Sequence, residues 1–306
     1  VTVDEFIAQW HDSNDFVVAH TSGSTGAPKE IRLKKEAMRQ SATATNAFFR
    51  LTERSHYVCP LSPDYIAGKM MVVRSLMSGG SLEMLVPSNS VRLTRRADLL
   101  AIVPSQVESI LSQAEMCGAV IVGGAALSAQ SRQRLIDAGI NAWESYGMTE
   151  TCSHVALRRV GTDIFCSLPG IRFSADSRGC LIVDAPKLVS SPLVTNDVVE
   201  LISDSQFRWL GRADHVINSG GIKIHPEQLE AEIAKAIPEM PEFYIVGAPD
   251  DKWGNVPVLV HEGSAPLDLA TRLADSLDHR QLPRKVVAVE SLPRTSNGKI
   301  LRKRIE

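Results

Sequence analysis

The apolar positions fall into two textures along the chain. Residues 15–20 (DFVVAH) are a β-branched run that stops at a Gly/Ser/Thr loop, which predicts a short buried strand. Residues 34–50 (KKEAMRQSATATNAFFR) predict a helix after that loop. Residues 65–78 (YIAGKMMVVRSLMS) are apolar on more than one face, so this helix is expected to be buried. Gly79-Gly80 ends it, and 81–86 (SLEMLV) reads as the next strand. AVIVGG (119–124) predicts another buried strand with glycines at its carboxyl end, and 128–139 a helix capped by Ser128. Strand, loop and helix alternate over 15–145, the mark of α/β layering.

From about residue 155 to 211 shorter apolar runs (CLIVDAP, VVELIS, FRWLG) alternate with turns, which predicts antiparallel strands. After Gly211 a compact unit is expected. VINSGGIKI reads as a hairpin with a Gly-Gly turn, PEQLEAEIAKAI as an amphipathic helix, FYIVGAP and VPVLVHE as strands, LDLATRLADSL as a helix and KVVAVE as a strand. The fold expected is α/β: a large N-terminal α/β domain with mixed sheets over 1–211, then a small α+β domain over 212–306. Composition does not locate that boundary; the motif at Gly211–Asp214 does.

The chain has 306 residues, enough for two domains at roughly 150 each. With 44% apolar and 22% charged residues it can build an ordinary core without disulfides or metals. Lys plus Arg (33) nearly equals Asp plus Glu (35), which argues against a general nucleic-acid or membrane-surface binder. Cys59, Cys117, Cys152, Cys166 and Cys180 contain no C-x-x-C pair, so no zinc site is expected. This odd, scattered set fits a reducing cytoplasm. No run of 18 apolar residues exists and residues 1–10 lack a signal pattern, so the expectation is a cytoplasmic protein with no membrane span.

Thr21-Ser22-Gly23-Ser24-Thr25-Gly26-Ala27-Pro28-Lys29 carries the most chemistry. Two glycines let amide N–H groups turn inward, while four hydroxyls and a lysine crowd the same loop, a cradle suited to polyphosphate. It is not G-x-x-x-x-G-K-[ST]. The bland alternative is a Ser/Gly-rich surface loop.

This loop resembles the phosphate-binding signature of the adenylate-forming superfamily: acyl- and aryl-CoA ligases, luciferase-like enzymes and peptide-synthetase adenylation domains. Further motifs follow in the family's order. The resemblance implies an adenine site at Gly123-Gly124-Ala125-Ala126, where an ordinary strand-to-helix turn is the alternative. Tyr146-Gly147-Met148-Thr149-Glu150-Thr151 resembles Y-G-x-T-E, which implies Tyr146 stacking on adenine, Thr149 donating to the α-phosphate and Glu150 holding Mg²⁺. Thr195-Asn196-Asp197 resembles T-G-D with Asn for Gly, and implies Asp197 accepting from both ribose hydroxyls. GRADHVINSGGIKIHPEQLE resembles the hinge segment. It implies Arg212 near the ribose, Asp214 as pivot of a mobile lid, Gly220 and Gly221 beside the pantetheine arm of coenzyme A, and Lys223 at a basic position. For Lys223 a solvated hairpin charge is equally open. Leu292-Pro293-Arg294-Thr295-Ser296-Asn297-Gly298-Lys299 resembles the P-x-T-x-x-G-K tail, with Lys299 the adenylation cation.

The activity implied is an acid–thiol ligation. A small-molecule carboxylate reacts with ATP and Mg²⁺ to give acyl-AMP and pyrophosphate, and coenzyme A then takes the acyl group. Residues 57–77 and 145–159 are similar to o-succinylbenzoate–CoA ligases, the menaquinone-pathway members in their compact bacterial form. That similarity implies Tyr65 at the acyl-pocket gate, and Lys69, or Ser153 with His154, toward a second carboxylate. Core packing of Tyr65 and a solvated Lys69 are the alternatives. Family members usually have the phosphate loop well inside a longer chain; here it starts at residue 21, so either a compact variant or a fragment is expected. A homodimer covering the face so exposed stays open. So do another aryl or acyl acid, a carrier-protein acceptor and a non-catalytic nucleotide-binding module.

Overall fold

The structure is a computed structural model that describes residues 1–20, 30–294 and 300–303. It divides into two compact units. The first holds Val1–Ser174, Ile182–Leu193 and Leu201–Phe207; the second holds Ala175–Leu181, Val194–Glu200 and Arg208–Glu306.

The first unit opens with helix α1 (Val3–His11), which the sequence pattern did not announce. Thr2 accepts from the Glu5 amide and Glu5 returns the bond, a capping box that supplies the helix start. Strands β1 (Phe16–His20) and β2 (Glu30–Lys34) pair antiparallel as a separate two-stranded sheet, with His20 opposite Glu30. Helix α2 (Lys35–Phe49) buries Ala37, Met38, Ser41, Ala42, Thr45 and Asn46, one stripe at helical spacing. Lys35, at its start, is buried but donates to the Asp12 carboxylate at 2.7 Å. Strand β3 (His56–Cys59) leads to helix α3 (Ile66–Ser78), in which Gly68 through Ser75 are all buried. That all-round burial is why α3 shows no polar face in sequence.

Strands β4 (Ser81–Met84) and β5 (Ala97–Ile102), the short helix α4 (Val107–Ile110), β6 (Cys117–Val122), α5 (Ala129–Asp137) and β7 (Ala142–Gly147) complete the α/β part. Ser128 caps α5 by accepting from the Ser131 amide. Strands β8 (His154–Arg159) and β9 (Ile164–Ser167) then turn back. The order is β9-β8-β7-β6-β5-β3-β4, with β3 to β7 parallel and β8 and β9 antiparallel. The parallel strands are nearly continuous apolar runs because the sheet is covered on both faces. One core gathers Leu100, Val120 and Leu135, another Phe6, Met38 and Met70.

Strands β10 (Arg172–Ala175), β11 (Cys180–Asp184), β12 (Leu193–Ser203) and β13 (Gln206–Arg212) follow. The second unit continues with β14 (Ile217–Ser219), β15 (Ile222–Ile224), α6 (Pro226–Ala236), β16 (Phe243–Asp250), β17 (Gly254–Glu262), α7 (Leu269–Ser276) and β18 (Lys285–Val289). β14 and β15 form the expected hairpin, with Asn218 opposite Lys223. β16 and β17 pair antiparallel over eight positions, and β18 joins β17 in parallel. Ile233, Ile245 and Leu259 fill the core under α6 and α7.

Candidate active site

In the first unit, the parallel strands β6 and β7 are neighbours, with Val122 opposite Glu144. Gly123-Gly124-Ala125, just past β6, and Tyr146-Gly147, the last residues of β7, therefore stand side by side at the sheet's carboxyl ends. This is where open α/β sheets bind ligands, since the loops diverge there. Gly147 is dictated by space: a Cβ would collide with the Ser153 carbonyl and the His154 backbone. The Tyr146 ring packs on Phe165 and Phe207, centroids 5.8 and 5.1 Å away. Under it, buried Glu144 accepts from Arg158 Nη2 at 3.0 Å and from Arg132 Nη2 at 2.9 Å, and Arg158 lies over the Phe165 ring at 4.5 Å. Thr149, Glu150 and Thr151 form a single 3₁₀ turn held by the Thr151 hydroxyl, which bonds the Ser153 carbonyl at 2.7 Å. Glu150 is exposed. One such carboxylate suits Mg²⁺, which keeps waters and takes phosphate oxygens rather than a protein cage. Among the described residues no cluster of three His, Cys, Asp or Glu could hold a metal ion.

The turn is strained at Cys152, a non-glycine residue at φ 64°. Burial pushes its thiol up to about 12, so it is no nucleophile at neutral pH. The strain delivers Ser153 and His154 to α2 and α3. Thr45 gives its hydroxyl proton to the Ser41 carbonyl at 3.1 Å, so its oxygen accepts from His154 Nε2 at 3.1 Å. That assigns the neutral tautomer with a bare Nδ1. Burial, then Arg74, holds His154 well below the usual imidazole range. Arg74 Nη2 lies 3.5 Å from Nδ1 and donates to Ser153 Oγ at 2.6 Å. Arg74 is itself buried, its Nε lacks an acceptor, and no carboxylate pairs with it among the described residues. Burial pulls its guanidinium down to about 10. A cavity of about 190 Å³ between α2 and the 168–171 turn reaches His154. A wider groove of about 440 Å³ lies at the amino ends of the strands, around Phe48 and Trp143. None of the described motif residues lines it.

Tyr65 is the residue before α3 and is 49% exposed, so it is not core. Lys69 is 3% exposed, not solvated: its ammonium bonds the Pro63 carbonyl and lies 5.2 Å from the Phe6 ring.

In the second unit, Asp197 accepts from the Trp209 indole N–H at 3.3 Å, and Arg212 Nη1 stands 4.0 Å from it. Arg212 grips Asp214 in a two-toothed fork, Nε at 2.9 Å and Nη2 at 3.1 Å. That hydrogen bonding lowers the Asp214 carboxyl. Gly220 and Gly221 both take left-handed angles, φ 56° and 84°, and a Cβ on Gly220 would lie 2.5 Å from the Trp253 ring. Lys223 is exposed on β15. Arg294 and Ile300 form an isolated antiparallel bridge, and the Leu301 N–H donates to the Pro293 carbonyl at 2.7 Å.

A family model described as AMP-binding enzyme matches residues 4–187, more than half of the chain. The chain belongs to the AMP-binding enzyme family. A solved acyl-CoA synthetase (AMP-forming)/AMP-acid ligase II-like protein from Dyadobacter fermentans is 32% identical. It superposes at a TM-score of 0.66, covering 97% of this chain and 90% of that one. The 2-succinylbenzoate–CoA ligase of Listeria monocytogenes is 26% identical over 99% of this chain and 72% of its own length. That of Enterococcus faecalis is 25% identical over 94% and 68%. The AMP-binding fold is also that of o-succinylbenzoate CoA synthetase from Bacillus subtilis, solved with its acyl-adenylate intermediate, at a TM-score of 0.79. That structure is 22% identical and covers 93% of this chain and 67% of that one, a likeness of fold.

The loop Thr21, Ser22, Gly23, Ser24, Thr25, Gly26 and Lys29, and the tail Lys299, lie outside the described residues. Of the described AMP-binding motifs, the Gly123 and Tyr146 segments meet in the first unit. Asp197, Arg212 and Asp214 gather in the second. Sequence reasoning missed Arg74, which lies in α3 between Val73 and Ser75; an arginine inside a helix with no polar face was the available signal. It also missed Trp209 and Glu144, whose partners are set by strand pairing.

Proposed function

We propose that this chain is an ATP-dependent carboxylate–CoA ligase that works through an acyl-adenylate, with o-succinylbenzoate as its acid. Membership of the AMP-binding family supports the adenylate chemistry, and relatives named 2-succinylbenzoate–CoA ligase support the acid. The observation that carries the substrate class is Arg74. A buried guanidinium without a carboxylate costs several kcal/mol unless a ligand anion completes it. Its neighbours, Ser153 Oγ and the neutral His154, add hydrogen-bonding groups without adding charge. A dicarboxylic aryl acid supplies one carboxylate for adenylation and a second for this cluster. A mono-acid leaves the cluster unpaired.

In this reading Tyr146 stacks on adenine, Thr149 meets the α-phosphate, Asp197 takes the ribose hydroxyls and Arg212 lies on the ribose side. The loop 21–29 binds phosphate, Lys299 is the adenylation cation and Asp214 the pivot of a lid formed by 212–306. Gly123, Gly124 and Ala125 flank adenine, while Gly220, Gly221 and Lys223 serve coenzyme A. Tyr65 gates the acyl pocket. Lys69 is assigned to the pocket wall, since its ammonium is spent on the Pro63 carbonyl. Glu150 holds Mg²⁺, which would offset the phosphate charge that repels an incoming carboxylate.

The test is pyrophosphate release and thioester formation with ATP, coenzyme A and a panel of aryl, fatty and dicarboxylic acids. Preference for o-succinylbenzoate is expected. Equal rates with benzoate-type mono-acids would overturn the substrate; no carboxylate-dependent pyrophosphate would overturn the enzyme.

A further inference from the structure

Residues 300–303 of the second unit are each held. Ile300 bridges Arg294 and packs on the core of Tyr244, Val258, Val260 and Leu292. The Leu301 N–H donates to the Pro293 carbonyl at 2.7 Å, and the Lys303 carbonyl accepts from the Tyr244 hydroxyl at 3.3 Å. Arg302 makes the strongest ties. Its Nη2 donates to Glu230 Oε2 at 2.7 Å, and its Nη1 donates to Glu230 Oε1 and to the Ile245 carbonyl, the latter at 2.9 Å. Glu230 in turn accepts the Ile245 N–H at 2.6 Å. Ile245 lies on β16, which among the described strands pairs only with β17, so the ion pair takes backbone groups at a sheet edge. Arg302 Nη2 also stands 3.5 Å from Glu227 Oε1, and Glu227 and Glu230 share one face of α6 at i, i+3 spacing. Glu227 has a second contact: His215 Nδ1, one residue past Asp214, lies 2.5 Å from the same oxygen. Its other oxygen lies so close to Gly211, at φ 141°, that a Cβ there would come within 2.4 Å. The first turns of α6 thus grip the Gly211–His215 segment and the tail together.

We propose that Arg302 is a positioning residue for adenylation: through Glu227 and Glu230 it locks the tail that follows Lys299 to the part of α6 that also holds the hinge segment. Lys299 stands three positions before Arg302 in the sequence. A cation acts on charge gathering at phosphorus only when it is placed closely, and a misplacement of about 1 Å can cost about 10²-fold. A lysine side chain is itself flexible, so the precision has to come from the chain that carries it. A guanidinium suits this task because one planar fork engages both oxygens of Glu230 and a carbonyl at once. Acyl transfer to the thiol does not use Lys299, so only the first half-reaction should feel Arg302. The inference rests on the reading of Lys299 as the adenylation cation.

The test follows the two half-reactions separately on the full chain in single-turnover assays. One is pyrophosphate release from ATP and o-succinylbenzoate; the other is thioester formation from supplied o-succinylbenzoyl-AMP and coenzyme A. The variants are Arg302→Met, Arg302→Lys, Lys299→Ala and the double variant Arg302→Met with Lys299→Ala. Arg302→Met should slow the first step about 10–100-fold and leave the second within about threefold of the wild type. In the Lys299→Ala background it should change adenylation less than about twofold, because a residue that acts through the lysine then has nothing left to position. A merely structural role slows both steps. Loss in both steps, loss in neither, or a loss that multiplies with that of Lys299→Ala overturns the inference. Arg302→Lys keeps a charge for the buried carboxylates but loses the fork, so it supplies the same comparison where Arg302→Met shows no cooperative melt. If Lys299→Ala adenylates as the wild type does, the reading of Lys299 falls first, and the inference with it.

Discussion

Arg74→Met removes a charge while keeping most of the volume. Burial lowers the Arg74 guanidinium from its ordinary value to about 10, about 3 kcal/mol against the charged form. Because the folded-state value lies below the unfolded one, the folded chain disfavours this proton at every pH below about 10. The penalty is thus fully present at neutral pH. Set against it is the charged hydrogen bond to Ser153 Oγ at 2.6 Å, worth about 1.5–3 kcal/mol. The two nearly cancel, so the ligand-free variant should melt within a few degrees of the wild type, or above it. A guanidinium paired with a protein carboxylate behaves differently, losing about 3–5 kcal/mol when cut. With substrate the sign changes: truncating one partner of a buried ion pair costs about 2–5 kcal/mol, so kcat/KM for o-succinylbenzoate should fall about 10²–10³-fold. For a mono-acid it should change less than about threefold. Thermal melts and steady-state kinetics on both acids decide the matter. Equal losses for the two acids, or a ligand-free melting point lowered by more than about 10 °C, would refute the reasoning.

Three further outcomes are expected. Lys299→Ala should lose about 10²–10³ in adenylation yet still transfer acyl from supplied acyl-AMP, read in single-turnover assays of each half-reaction. Glu144→Leu strips the carboxylate from buried Arg158 and from Arg132; denaturant titration should show a loss of about 3–5 kcal/mol. His154 is held neutral, its folded value well below 6.5, so the unfolded chain binds the extra proton first as pH falls. Stability is full above about pH 6.5 and declines below it by up to about 1.4 kcal/mol per pH unit. Between pH 5 and 6.5 that slope should be shallower by about this amount in His154→Gln.

Much of the scaffold is legible in the sequence. The all-round apolar stretch 65–78 predicts a buried helix, and α3 buries every residue from Gly68 to Ser75. Ser128 reads as a cap and caps α5, and the Gly-Gly hairpin at 220–221 joins β14 to β15. These signals are local: periodicity, caps and turn chemistry act within a few residues. β2 is not legible, because EIRLK becomes a strand only by pairing with β1. Nor are the two bland alternatives for Tyr65 and Lys69 right, since the tyrosine is half exposed and the lysine buried.

Sequence by itself determined the family, through short motifs whose order survives without any knowledge of contacts, and the identity of the groups that could meet a nucleotide. Only the tertiary structure decided which charges are stranded and which are held. Arg74 and Ser153, separated by 79 positions, touch because α3 packs near the start of β8. Trp209 reaches Asp197, twelve positions away, because both lie in the second unit's strands. Desolvation and hydrogen-bond partnership depend on packing across the chain, and no local pattern encodes them.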